Sequence, residues 1–403
     1  MDVHSACRLP VASLLWRPSA DAWALTVVCK ATFVWSGSKL ALAEHQEPPT
    51  PADLHWDDDE RRSLRAASDL VPTKSRVDVV LVGHAYAPDG APVSRLSARL
   101  AVGAIDKTIE IVGSVKAGRG SQPGTDEGAF SEMPLVYERA LGSTLANPVG
   151  VMPDAQEPAA RQANLYLQHS ALASAAVPAS APFGPVASSW PLRHGKLGAQ
   201  PAAWSAADFR ARSLPTDLDF AYFNHAPPDQ QLDQLPDRAR VVLENLDRDA
   251  PFLELALPPL RPWLTVEREG SFVDEATAEE LPSMRCDTLT IDTDRSVVTL
   301  VWRAQVALER PDEAGRAVVS LDPLGTSLVA QAMRRVPLPA PPSSSWPKAD
   351  STGLPFRKPE GAEAAPPASA SQRWPSRPPP ASAALPVAVP AAVPVAVPAA
   401  VPV

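Results

Sequence analysis

Between residues 76 and 113 apolar and polar side chains alternate with a period of two, which only an extended chain sustains. Val77, Val79 and Leu81 lead to Gly83, and Pro88-Asp89-Gly90 supplies turn chemistry. Leu96, Ala98, Leu100 and Val102 then alternate against Arg95, Ser97 and Arg99. A second turn over 103–106 precedes Lys107-Thr-Ile109-Glu110-Ile111-Val-Gly113. Three such runs with short connections predict an antiparallel meander with one buried face. A sheet with one apolar face has to bury it against another layer, which makes a sheet-on-sheet architecture the expectation.

The same signal recurs elsewhere. In 24–34, Leu25, Val27, Cys29, Ala31 and Phe33 share one face, and Thr26, Lys30 and Thr32 share the other with Val28 and Val34. β-Branched residues are dense there, as strands favour. Arg240–Asn245 and Phe252–Leu257 bracket Asp247-Arg-Asp-Ala as a hairpin. Thr288–Ile291 and Val297–Leu308 bracket Asp292-Thr-Asp294-Arg295 as another. Helical signals are few. Gly325–Arg335 has a Ser or Thr cap and two C-terminal arginines. Ala159–Ala176 is Ala-, Leu- and Gln-rich, and Glu275–Leu281 reads as a short helical turn.

Residues 114–238 carry no clean periodicity, only isolated aromatic anchors: Phe130, Tyr137, Tyr166, Phe183, Trp190 and Trp204. So long an irregular insertion points to a functional role. Of the 47 prolines, 18 lie in 337–403, and from Pro386 one recurs at every fourth residue. A helix cannot hold proline at every turn. This uncharged stretch therefore predicts a disordered, polyproline-like tether and not a membrane span. The expected organisation is one mainly β domain over 1–336, with antiparallel, sandwich-like sheets. It is strand-rich over 20–113 and 239–310, with a short helix at 325–335, and the tail follows over 337–403.

A formal charge of −9 without a basic block argues against a nucleic-acid footprint. Cys7, Cys29 and Cys286 are odd in number and far apart, so neither a disulfide framework nor a zinc knuckle is expected. The N-terminus lacks the charged and apolar regions of a signal peptide. A reduced, cytoplasmic setting without membrane insertion fits these features.

Reaction chemistry leaves little trace. The chain has no Gly-rich phosphate loop, no HExxH and no GxSxG. Its seven histidines show no paired metal spacing, and His84 reads as a hydrogen-bonded strand residue. The acid run Trp56-Asp57-Asp58-Asp59-Glu60 reads as a solvated loop, because it lacks the spaced ligands of a calcium loop. One stretch stands apart. Over 204–231 the aromatics Trp204, Phe209, Phe220, Tyr222 and Phe223 are interleaved with Asp217, Asp219 and Asp229 and with prolines 215, 227 and 228. Aspartates in such company cap turns and pair with arginines, here Arg193, Arg210 and Arg212. The alternative is a hydrolase-like site using Asp217, Asp219, Asp229 and His225 as acid and base. Arg139, beside Glu138 and Tyr137, reads as one half of a buried ion pair fastening the insertion to the sheets.

Several motifs occur in a familiar order. They are Leu25-Thr-Val-Val-Cys-Lys30-Ala-Thr-Phe33; Asp78-Val-Val-Leu-Val-Gly83-His84-Ala-Tyr86-Ala-Pro88; Met133-Pro-Leu-Val-Tyr137-Glu138-Arg139-Ala140; Asn147-Pro-Val-Gly150; Pro182-Phe-Gly-Pro185 with Trp190-Pro-Leu-Arg193; and Leu214-Pro-Thr-Asp217-Leu-Asp219-Phe220 running to Asn224-His-Ala-Pro-Pro-Asp229-Gln230. Together they resemble the bacterial family called domain of unknown function 2169, over about residues 10–310. The resemblance implies a non-enzymatic accessory adaptor or chaperone in type VI secretion. Its partners would be a secreted effector and spike-tip proteins of the VgrG/PAAR type, with no cofactor and no metal. The candidate partner-binding or family-motif residues are then Tyr137, Glu138, Arg139, Asn147, Trp190, Arg193, Trp204, Asp217, Asp219, Tyr222, Asn224, Asp229 and Gln230. The chain departs from the pattern after Gly113, where Ser114-Val-Lys116-Ala-Gly118 replaces an expected acid, base and Trp. It departs again at Ser143, where Gly is expected.

Three readings follow. In the first, the chain is an effector-loading adaptor whose segment 130–231 faces the partner or braces the surface that does. In the second, it is an enzyme built on the Asp217/Asp219/Asp229/His225 cluster. In the third, it is a structural component of the secretion apparatus, with the tail as a spacer.

Overall fold

The long strand predicted at 24–34 is the spine of the molecule. In a computed structural model, which describes residues 1–114, 128–142, 145–152, 163–174, 176–199, 204, 206–268, 284–322, 326 and 329, it runs from Ala22 to Ser36. The strands before and after it are β1 (Asp2–Ser5), β2 (Val11–Ser19), β3 (Ala22–Ser36), β4 (Lys39–Leu42), β5 (Leu54–His55), β6 (Leu64–Ala66), β7 (Val77–Val82), β8 (His84–Tyr86), β9 (Arg95–Val102) and β10 (Ile105–Val112). Then follow β11 (Glu132–Pro134), β12 (Leu165–Ser170), β13 (Gln231–Leu232), β14 (Arg240–Glu244), β15 (Phe252–Ala256), β16 (Pro262–Arg268), β17 (Arg285–Asp292), β18 (Val297–Leu308) and β19 (Gly315–Leu321). The α-helices are short: α1 (Pro191–His194) and α2 (Ala206–Ala211).

Two sheets form the sandwich. One has seven strands, in the order β13-β7-β17-β18-β3-β2, with β4 also on β3. The other has five, in the order β12-β10-β9-β14-β15. A three-stranded sheet, β1-β19-β16, closes one side of the core. Between the layers lie Val27, Cys29, Ala31 and Phe33 of β3, Leu300 and Trp302 of β18, Leu289 and Ile291 of β17, and Val79 and Leu81 of β7. They meet Leu96, Ala98, Leu100, Ile109, Ile111, Val241, Leu243 and Leu255 of the facing sheet in one continuous apolar cluster. Burying one such aliphatic side chain contributes about 1.5–3 kcal/mol, so this cluster is the main source of stability. The three cysteines are free thiols.

Both expected hairpins form. β14 and β15 pair with Arg240 opposite Ala256, and β17 and β18 pair with Asp292 opposite Val297. Each turn is held by an aspartate. Asp247 Oδ1 accepts from the backbone N–H groups of Asp249 and Ala250, and Asp292 Oδ1 from those of Asp294 and Arg295.

The predicted meander is half right. β9 and β10 pair as expected, but β7 belongs to the other sheet, between β13 and a parallel β17. All six residues of β7 are buried, Val80 and Val82 included. A strand apolar on both faces suits a sheet interior covered on both sides. The chain then crosses from one sheet to the other. Gly83 begins the crossing at φ 111°, where a Cβ would stand 2.3 Å from Thr293 Oγ1.

The helix expected over 159–176 is also corrected, since 165–170 is strand β12, antiparallel to β10. The open edge of β10 offers backbone hydrogen bonds that outweigh a helix propensity of a few tenths of a kcal/mol per residue. The expected helical turn at 275–281 lies outside the described residues, as does the 337–403 tail. Of the 325–335 helix only Thr326 and Val329 are described, both helical, and Val329 packs into the core.

Candidate functional site

The outward face of the seven-stranded sheet is polar but buried. Lys30, Val301, Thr288 and Asp78 form one row across four strands, and Thr32, Thr299, Thr290 and Val80 form the next. Residues 43–76 and the described residues of 181–231 cover much of this face, so its polar groups need partners. Lys74 Nζ lies 2.9 Å from Asp78 Oδ2, donates to Thr288 Oγ1 at 2.6 Å and faces His225 Nδ1 at 3.1 Å. Asp78 also accepts the backbone N–H groups of His225 and Ala226 and the Asn224 side-chain amide, at 3.0–3.1 Å. Asn224 Nδ2 donates to the Arg76 carbonyl too, and Asn224 Oδ1 accepts from Ser75 Oγ. Nearby, Lys30 pairs with Asp69 at 3.2 Å and Arg303 with Asp287 at 2.7 Å.

Burial alone would raise the Asp78 pKa. The Lys74 ammonium, His225 and the amide bonds prevail and hold it below the usual carboxylate range. Burial, aided by Lys74, pushes His225 down to about 3, so its ring is neutral.

A second buried group fastens the insertion to the five-stranded sheet. Lys107 of β10 takes an inward position among isoleucines, with no exposed surface. Its ammonium donates to Gln230 Oε1 at 2.7 Å and the Pro182 carbonyl at 3.0 Å, and it pairs with Asp229 at 3.2 Å. Asp229 also accepts from Ser170 Oγ of β12, and Gln230 Nε2 donates to the carbonyls of Val79 and Phe183. Asp229 and Gln230 thus bridge both sheets and the 181–185 segment.

The other sequence-selected residues are also braces. Tyr137 is buried edge-on against Trp190, with centroids 4.8 Å apart, and its hydroxyl donates to the Gly184 carbonyl. Arg193 donates to the carbonyls of Tyr222 and Val186 and stacks on the Tyr222 ring at 5.5 Å. Asn147 Nδ2 donates to the carbonyls of Tyr137 and Leu141. Trp204 lies against Phe209 and under the Arg212 guanidinium. The expected Glu138–Arg139 ion pair does not form. Glu138 accepts from Ser63 N and Oγ at 2.7 and 2.8 Å, and Arg139 donates to Asn164, because the short 3₁₀ turn over 137–139 sends the two side chains to different partners.

The four residues of the hydrolase alternative are not gathered. Asp217 is exposed and accepts the Ala199 backbone N–H, while Asp219 caps the 3₁₀ turn at Phe220. Asp229 is enclosed with Lys107, and His225 with Asp78 and Lys74. Their expected arginine partners are also engaged elsewhere, Arg193 on carbonyls and Arg212 on Asp208.

Two surfaces remain whose exposed residues sequence reasoning did not single out. The first is the loop 140–152. Bridges between Leu141 and Val151 and the Asn147 side chain close it, yet Leu141, Leu145 and Met152 are 47, 60 and 56% exposed. The second is a cleft of about 340 Å³ over the polar sheet face, where the 43–69 cover leaves it open. Glu47, Asp57, Asp58, Asp69, Asp292 and Asp294 outnumber Lys30, Arg65 and Arg295 in its walls. At its rim His84 Nδ1 is 2.8 Å from Asp294 Oδ1, which also accepts from the Tyr86 hydroxyl. Burial raises Asp292 to about 6, against the pull of Arg295. Among the described residues no three His, Cys, Asp or Glu side chains are placed to hold a metal ion. No helix among them is long and apolar enough to cross a membrane. The motif holding His84 was visible in the sequence, but Asp292 and Asp294 read there only as turn residues.

Residues 20–303 match the model of DUF2169, described as an uncharacterized protein conserved in bacteria. No curated protein and no solved structure matches the chain.

Proposed function

The chain belongs to the DUF2169 family, and on that premise we propose that it is a non-enzymatic accessory adaptor that helps load an effector onto the type VI secretion spike. The observation that carries the reading is the division of labour around the insertion. Tyr137 and Asn147 are buried braces beneath the described residues of 140–152, which offer three large apolar side chains to solvent. Scattered exposed apolar residues are ordinary, but three large ones within twelve residues is a concentration of the kind that marks partner contact. A preorganised patch binds with less ordering cost than a flexible one. The motif residues then serve binding indirectly, by fixing the platform.

The test is a pull-down of the intact chain with the effector and spike-tip proteins encoded beside its gene. Enrichment of both, lost in a Leu145→Lys/Met152→Lys variant, supports the adaptor. Failure of the intact chain to enrich either partner sinks it.

A further inference from the structure

The cleft over the polar sheet face has hydrogen-bonding groups on its floor, some of which have no partner among the described residues. His225 is 3% exposed and lines the cleft. A lysine ammonium only donates, so the 3.1 Å contact from Lys74 Nζ makes His225 Nδ1 the acceptor. The ring proton is therefore on Nε2, which has no partner among the described residues. Thr290 and Thr299 are cross-strand neighbours in the cleft, and their hydroxyls likewise have no partner among the described residues. Arg65 lines the same space, and its guanidinium has no hydrogen-bond partner among the described residues. His225 and Thr299 are buried and Thr290 and Arg65 half-buried, and all four line one cavity with polar atoms that no described protein group takes up, which is the arrangement of a small-molecule site.

The walls decide its charge. An anion on this floor would face a surplus of carboxylates, and a cation would face the Lys30 ammonium and the His225 N–H. A neutral molecule carrying both acceptor and donor oxygens satisfies both sets. Val80, Val82, Val297 and Trp56 supply apolar surface for a ring's C–H faces. We propose that the cleft binds a neutral, polyhydroxylated small molecule of monosaccharide size, held by Thr290, Thr299, His225 and Arg65. This inference does not rest on the adaptor reading.

The test is saturation-transfer NMR of the full chain with glucose, galactose, mannose and N-acetylglucosamine at millimolar concentration. Acetate and methylammonium serve as the charged counterparts. At least one sugar is expected to receive saturation and neither ion to do so. In a Thr290→Val/Thr299→Val variant, which keeps β-branched side chains in both strands, affinity is expected to fall at least about tenfold for the lost hydrogen bonds. Arg65→Gln, at a half-buried position, is a second variant should the first not fold, with a loss of the same direction. Silence from all four sugars overturns the proposal. So does an ion that binds in a Thr290- and Thr299-dependent way, or a sugar whose binding neither variant changes.

Discussion

Lys74 Nζ and Asp78 Oδ2 meet at 2.9 Å with neither side chain reaching solvent. The pair fixes the 224–226 turn to β7 of the seven-stranded sheet, because the same carboxylate takes two backbone amides and the Asn224 side chain. Removing one partner of such a pair leaves an uncompensated buried charge and several unpaired donors. Asp78→Ala is therefore expected to cost about 3–5 kcal/mol, measured as a lower urea midpoint at pH 7.

Two groups give the stability a characteristic pH dependence with opposite signs. His225 is pushed down to about 3 in the folded chain, from 6.5. As pH falls from 6.5 to 3 the unfolded chain takes up a proton that the folded chain refuses, and stability falls with it. Asp292 is raised from 3.8 to about 6. Between those values the folded chain holds the extra proton, so this contribution is full below 3.8 and is lost as pH rises through 6. Over pH 4–6 the two slopes, each up to about 1.4 kcal/mol per pH unit, oppose one another. Asp292→Asn removes one of them. Relative to the parent chain, its stability is expected to rise more steeply between pH 4 and 6, as read from urea midpoints. Parallel profiles for the two chains would contradict this assignment.

The layered β fold was legible because burial on one face writes a period of two, as in 95–102 and 24–34. The partners of a strand are written far less clearly. Val77–Val82 reads as the first strand of a meander, yet its neighbours are β13 and β17, some 150 and 210 residues later. A continuous apolar run states that both faces are covered, not by what. The braces within 204–231 were singled out by composition, since aromatics, prolines and aspartates rarely mix in a solvated linker, and Tyr137, Asn147, Trp190 and Arg193 by their motifs. Their partners were not legible, because Lys74, Lys107 and Ser63 lie in other segments and carry no local signature. The cleft escaped notice for the same reason: threonines at 290 and 299 are ordinary strand residues until the sheet sets them side by side.

Lys107 and Asp229 offer a separable test of the insertion's anchorage. Each single change, Lys107→Met or Asp229→Leu, strands the other charge in a site without solvent, at about 3–5 kcal/mol. The double variant removes both charges and is expected to cost clearly less than the sum. A coupling energy of at least about 1 kcal/mol in a double-mutant cycle follows. Additive losses would mean that Lys107 is satisfied by Gln230 and the Pro182 carbonyl alone.

Leu145 and Met152 separate binding from folding. Both side chains are more than half exposed, and the bonds that close their loop come from backbone groups and Asn147. Leu145→Lys and Met152→Lys bury no new charge, so each is expected to change stability by no more than about 0.5 kcal/mol. A lysine in the middle of an apolar contact must be desolvated when a partner docks, and a contact residue of this kind costs about 1–2 kcal/mol or more. Partner affinity is then expected to fall at least about tenfold per substitution at unchanged melting temperature. Binding titrations beside thermal unfolding of the same samples check it. Unchanged affinity in both variants would move the docking surface away from this loop, while Asn147→Ala, which loosens the loop from below, would be expected to weaken both binding and stability.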